Sequence, residues 1–227
     1  MRKLDSKRTL RGLAHLLSYP DAQLRSHLDE IVAALQTERA LSKSRLSELA
    51  QLAQWMQNSR PMDLEAHYVE TFDRGRGSSL HLFEHVHGDS RDRGPAMIDL
   101  LQTYEQAGIH LHGSELPDHL PIVLEYASTQ PSSQARAFLR ELAHLLNVIF
   151  TCLLRRHSPY ASVIASILEL AGQKAQAVSV PEEPPVDEAW AEPAAFSGCD
   201  LAGQRRADTP QPVHFVRPSA PTLGNRP

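Results

Sequence analysis

The chain has 227 residues, 41% of them apolar, which suffices for one sizeable core and an accessory segment. A formal charge of −4 and a pI near 6.3 leave no basic surplus to displace counterions from phosphates, so general nucleic-acid binding is disfavoured. Two cysteines make no disulfide framework, the basic start at residues 1–10 lacks the apolar run of a secretory signal, and the richest apolar stretch, 145–154, is far shorter than the roughly 20 residues of a membrane span. A reducing, cytoplasmic setting without direct membrane insertion is the expectation.

Apolar residues recur at helical spacing from the start of the chain: Leu10, Leu13 and Leu17, then Leu24, Leu28, Ile31, Val32 and Leu35, then Leu49, Leu52 and Met56. Pro20-Asp21 and Pro61-Met-Asp63 stand where helices begin, because a first-turn amide lacks a helical partner and acids favour the positive end. A fourth helix carries Leu64, Tyr68 and Phe72 and stops in the loop Asp73-Arg-Gly-Arg-Gly77. Gly94-Pro95 opens the next, with Met97, Leu100, Leu101 and Tyr104, and Gly108 ends it. Pro117 is expected to open a helix with Ile122, Val123 and Tyr126, followed by one long helix over 132–156 and a last one over 159–171. No stretch alternates with period two, so an all-α, single-domain helical bundle over residues 1–172 is expected. Nine of the 16 prolines fall after position 180, and residues 173–227 read as a Pro-rich, disordered C-terminal tail.

Six of the twelve histidines lie between His81 and His119. His81-Leu-Phe-Glu-His85 fits the H-x-x-E-H pattern, and on a helix His81 and His85 share one face at i, i+4 with Glu84 placed as a general base. A zinc-dependent hydrolase using these three residues is the catalytic alternative. Against it stand the short run between Gly77 and Gly88 and the lack of a downstream ligand motif. The plain alternative makes these histidines polar rims and caps on a short helix. A loop metal site at His85, His87 and Asp89 has no supporting pattern. In Gly113-Ser-Glu-Leu-Pro-Asp-His119, Asp118 reads as an acid at a helix start, and adjacent residues do not face each other, so Asp118 and His119 make a poor dyad. Cys152 sits among apolar neighbours, and no nucleophile elbow, P-loop or dinucleotide fingerprint occurs. The chain is therefore expected to be no enzyme, with no catalytic or metal-ligating residue and no stably bound cofactor.

The run Tyr68-Val-Glu-Thr-Phe-Asp73, continued through Ser78-Ser-Leu-His-Leu-Phe-Glu-His-Val-His-Gly-Asp89 to Met97, resembles the nitrate reductase delta-subunit family of NarJ-type molybdenum cofactor assembly chaperones. Glu115-Leu-Pro-Asp-His-Leu120 looks like the E-x-x-D-H element of the wider TorD and DmsD redox-enzyme maturation group, and Leu16-Leu-Ser-Tyr-Pro-Asp21 is similar to the family's opening. The resemblance implies a TorD-like helical bundle that binds the N-terminal segment of the apo catalytic alpha subunit of respiratory nitrate reductase. That client receives molybdenum guanine dinucleotide cofactor and an iron–sulfur cluster before membrane attachment, with molybdenum cofactor biosynthesis proteins as further partners.

A client segment that folds on binding lays an apolar helical face into a groove, and acids steer its basic residues. Tyr68, Phe72, Leu120 and Val123 are the expected groove wall, with plain core packing the alternative for all four. Glu84, His85, His87, Asp89, Glu115, Asp118 and His119 are the expected polar rim.

Overall fold

The computed structural model describes residues 6–74, 76–88, 90–111 and 115–180, all within the first of two units of the chain, Met1–Glu183. The disordered tail expected over 181–227 lies outside the described residues. Among those described, eleven α-helices and no strand form an all-α bundle: α1 (Lys7–Leu16), α2 (Ala22–Ser26), α3 (Leu28–Glu38), α4 (Lys43–Asn58), α5 (Pro61–Phe72), α6 (Leu82–His87), α7 (Arg93–Gln106), α8 (Leu120–Thr129), α9 (Ser132–Glu141), α10 (Ala143–Arg155) and α11 (Ala161–Leu170). No single helix among the described residues is long and apolar enough to cross a membrane.

Two helices organise the core. In α11 every residue from Val163 to Leu168 is buried, the pattern of a helix covered on all sides, and it packs on α10, α9, α4 and α1. Helix α1 buries Leu10, Leu13 and Leu16 against α8 and α3. Gly12 permits the close approach of α1 to α3, since a β-carbon there would lie 3.1 Å from Leu35 Cδ2.

Helix ends are tied to remote parts of the chain. Glu38, at the end of α3, accepts from the amides of Arg8 and Thr9 in the first turn of α1, at 3.1 and 2.6 Å. Glu169 of α11 accepts from the amide of Ser42, the N-cap of α4, at 2.6 Å. Both carboxylates satisfy amides that the helix itself leaves unpaired.

Three expected elements differ. The segment around Leu24–Leu35 is broken at His27, where the His27 ring and Ser26 hydroxyl both turn back to the Gln23 carbonyl. The long helix over 132–156 is two, α9 and α10, meeting at 64°. The bend lets α9 pack on α8 and α11 while α10 packs on α11 and a 3-10 turn at Arg76–Ser78, and the His144 ring occupies the freed Glu141 carbonyl at 3.1 Å. Helix α8 opens at Leu120 rather than Pro117, with Pro121 in its first turn.

Gly172 ends α11 with φ +74, and the amides of Gly172 and Gln173 return to the carbonyls of Glu169 and Leu168. Beyond it residues 173–180 run alongside α10, with Ala175 packed against the core.

Candidate functional site

The histidine-rich segment and the E-x-x-D-H element meet. Leu80–Leu82 and Asp118–Leu120 pair antiparallel about an isolated bridge between His81 and His119, with Leu82 N donating to the Asp118 carbonyl at 3.1 Å and Leu120 N to the Leu80 carbonyl at 2.9 Å. The starts of α6 and α8 are thereby clamped side by side. Helix α6 has only six residues, too few to hold itself in water, so its entry must be fixed from outside.

Asp118 fixes it. Its side chain is 0% exposed, and its Oδ2 accepts from the amide of Phe83 in the first turn of α6 at 3.0 Å. The His81 ring Nδ1 lies 3.2 Å from Oδ1, and the Arg93 guanidinium at the start of α7 lies 3.9 Å from Oδ2 and 3.4 Å from Glu84 Oε1. One buried carboxylate thus joins α6, α7 and the turn before α8. Tyr104 of α7 adds a further tie, its hydroxyl donating to the Pro117 carbonyl at 2.8 Å, and burial holds that phenol well above its ordinary range.

Two histidines share one charge environment. The rings of His81 and His119 stack with centroids 5.0 Å apart, and His119 Nδ1 lies 3.3 Å from Glu115 Oε2. The hydrogen bond to Asp118 raises the His81 pKa above the ordinary imidazole value, while burial, reinforced by His81, lowers that of His119.

The H-x-x-E-H reading fails on backbone geometry. His81 is the N-cap of α6, extended at φ −83 and ψ 102, so it does not share a helix face with His85. Its ring turns to Asp118, and the His85 Nε2 is taken by the Ser79 carbonyl at 2.9 Å. Among the described residues no group of three or more His, Cys, Asp or Glu is placed to hold a metal ion.

A family model described as nitrate reductase delta subunit matches residues 21–166, a span that contains this whole junction. The chain belongs to that family. It is 39% identical over 204 residues to the nitrate reductase molybdenum cofactor assembly chaperone NarJ of Escherichia coli (strain K12), covering 90% of this chain and 79% of that one. It is 31% identical over 154 residues to the nitrate reductase-like protein NarX of Mycobacterium tuberculosis (strain ATCC 25618 / H37Rv), covering 67% of this chain and 22% of that one. Among solved structures, a candidate redox enzyme maturation protein from Archaeoglobus fulgidus superposes with a TM-score of 0.52 at 20% identity, covering 74% of this chain and 94% of that one, a likeness of fold.

Within this delta-subunit chain the expected contact residues separate by depth. Tyr68, Phe72, Leu120 and Val123 are all core side chains, at 6%, 4%, 0% and 1% exposure. Their burial matches the core-packing alternative: Tyr68 donates to the Leu17 carbonyl at 2.8 Å and its ring packs against Phe72 at an interplanar angle of 58°. Asp118 is likewise interior, and it serves the start of α6 rather than that of its own following helix. Glu84, His85, His87 and His119 are half-buried around the junction and Glu115 is exposed, while Asp89 lies outside the described residues. Exposed apolar side chains also occur in these segments: Val86 on α6, Ile98 on α7 and Leu116. Sequence reasoning passed over Arg93 and Tyr104 as site residues, since neither belongs to a local motif and only the fold brings them to 118.

Proposed function

We propose that this chain is an assembly chaperone for respiratory nitrate reductase, holding the apo catalytic alpha subunit by its N-terminal segment in the cytoplasm. The reading adds that the client then takes molybdenum guanine dinucleotide cofactor and an iron–sulfur cluster, with the help of cofactor biosynthesis proteins, before membrane attachment. The observation that carries it is the 39% identity to a nitrate reductase molybdenum cofactor assembly chaperone across 90% of this chain.

The surface over the α6–α8 junction suits such a client. Glu84, Glu115, His85, His87 and His119 form a polar rim, and Val86, Ile98 and Leu116 offer apolar contact that the buried four do not. A basic, amphipathic segment is steered by the acids and held by the apolar side chains. Asp118 is a positioning residue beneath this surface.

The test is copurification of the tagged full-length chain from nitrate-respiring cells, followed by calorimetry with a peptide of the alpha-subunit N-terminus. Recovery of the alpha subunit and saturable peptide binding are expected. Recovery of no molybdoenzyme subunit would overturn the reading.

A further inference from the structure

A cleft between α1 and the α2–α3 pair shares no residue with the α6–α8 junction. It encloses about 570 Å³, within the usual range of small-molecule sites. Helices α1 and α3 are antiparallel, since Glu38 meets the first turn of α1 while Gly12 lies against Ile31 and Leu35. The cleft follows α1 from Arg8 to Ser18, a run of about 15 Å at helical rise. Its floor is apolar, made by Gly12, Leu24, Ile31 and Ala34, and the exposed ring of Tyr19 stands at the end away from Arg8.

Charge is distributed unevenly along it. Arg8 and Arg11 stand together at one end, and among the described residues neither guanidinium has a hydrogen bond or an ion pair. The first turn of α1 holds no acid, although acids are favoured there, and carries Arg8 instead. The carboxylate that does reach this turn, Glu38, is taken by the amides of Arg8 and Thr9 and by the Thr9 hydroxyl, not by a guanidinium. Two acids line the cleft. Asp21 is engaged as the cap of α2, its Oδ1 accepting from Leu24 N at 2.7 Å, and Glu30, on the wall opposite α1, forms no ion pair among the described residues. Two unpaired arginines suit one carboxylate, which a guanidinium fork receives through paired N–H donors. A polyanion would bring its further charges up against Asp21, Glu30 and Glu38.

We infer that this cleft binds a small, elongated monocarboxylate with an apolar body, its carboxylate on Arg8 and Arg11 and its body along Ala34, Ile31 and Leu24 towards Tyr19. This goes beyond the assembly role proposed above and does not rest on it.

The probe is dodecanoate, titrated into the full-length chain by calorimetry below its micellar concentration. Saturable binding of one equivalent is expected. Octanoate should bind at least tenfold more weakly, since each buried methylene is worth about fourfold in affinity. Dodecanol, which keeps the body and lacks the charge, should also bind at least tenfold more weakly. Arg8→Gln with Arg11→Gln should weaken dodecanoate at least tenfold without moving the urea midpoint, both side chains being exposed, and Ala34→Phe should weaken it as much by filling the floor at a half-buried position. In the natural chain, nuclear Overhauser contacts from bound dodecanoate should fall on the methyl groups of Leu24 and Ile31. No saturable binding, equal affinity for dodecanoate and dodecanol, or methyl contacts elsewhere would overturn the inference, and these three readouts need no variant to fold. Displacement of dodecanoate by equimolar ATP would mark a polyanion site and overturn it as well.

Discussion

At the scale of single residues the junction depends on Asp118. A carboxylate with no exposed surface is costly unless its oxygens are satisfied, and here an amide, an imidazole and a nearby guanidinium do so. Asp118→Ala removes the cap of α6 and leaves His81 and Arg93 without their shared partner. Urea unfolding followed by tryptophan fluorescence should show a loss of about 3 kcal/mol, against about 1–2 for Asp118→Asn, which keeps an acceptor. The two histidines above it give opposite pH slopes. The pKa of His81 is raised in the fold, so its stabilisation is complete below the unfolded value near 6.5 and is lost as pH rises through the folded value. That of His119 is lowered, so its contribution is complete above the unfolded value and is lost as pH falls. Urea midpoints between pH 5 and 8 should therefore fall mainly on the acid side in His81→Gln and mainly on the alkaline side in His119→Gln. Parallel slopes in the two variants would count against opposite shifts of the two histidines.

At the scale of elements, carboxylates brought from far along the chain begin the helices: Glu38 serves α1, Glu169 serves α4 and Asp118 serves α6. Each bond satisfies a helix end and also fixes one element against another, as a cap within the same segment does not. Glu38→Ala and Glu169→Ala should each cost about 1 kcal/mol in chemical denaturation, the usual worth of a lost N-cap. Such caps have no local signature, because partner and helix stand 29, 127 and 35 residues apart. The helices themselves were legible, since the i, i+3, i+4 recurrence of Leu10, Leu13 and Leu17 or Leu49, Leu52 and Met56 is the core face and little else. The breaks at His27 and Leu142 were not, for no proline or glycine stands at either. At Leu142 the bend lets α9 face α8 while α10 faces the 3-10 turn at Arg76–Ser78. The meeting of the histidine run with 115–120 could be suspected from composition, but Tyr68, Phe72, Leu120 and Val123 were ambiguous. An apolar residue at helical spacing looks the same whether it lines a groove or fills a core, and only burial separates them.

At the scale of the whole molecule, the apolar residues are spent on the α1–α11 core, and in the proposed function recognition falls to side chains fixed on short elements clamped at their ends. Helices α6 and α8 are held at their starts by one bridge and one buried carboxylate, so the rim above can be rigid without a large core of its own beneath it. In the proposed function Glu84 and Glu115 steer a basic client, and such attraction acts mainly on the rate of encounter. Glu115 is the best probe of it, because its side chain is 62% exposed and its contact with His119 is an exposed pair that adds little stability. Glu115→Lys should leave the urea midpoint nearly unchanged and weaken binding of the alpha-subunit N-terminal peptide about tenfold, a difference of about 1.4 kcal/mol. The loss should lie in the association rate measured by stopped flow and should shrink as ionic strength rises, since screening removes the steering term in both proteins. An equal loss at low and high salt, or a loss confined to dissociation, would place the client elsewhere on the surface.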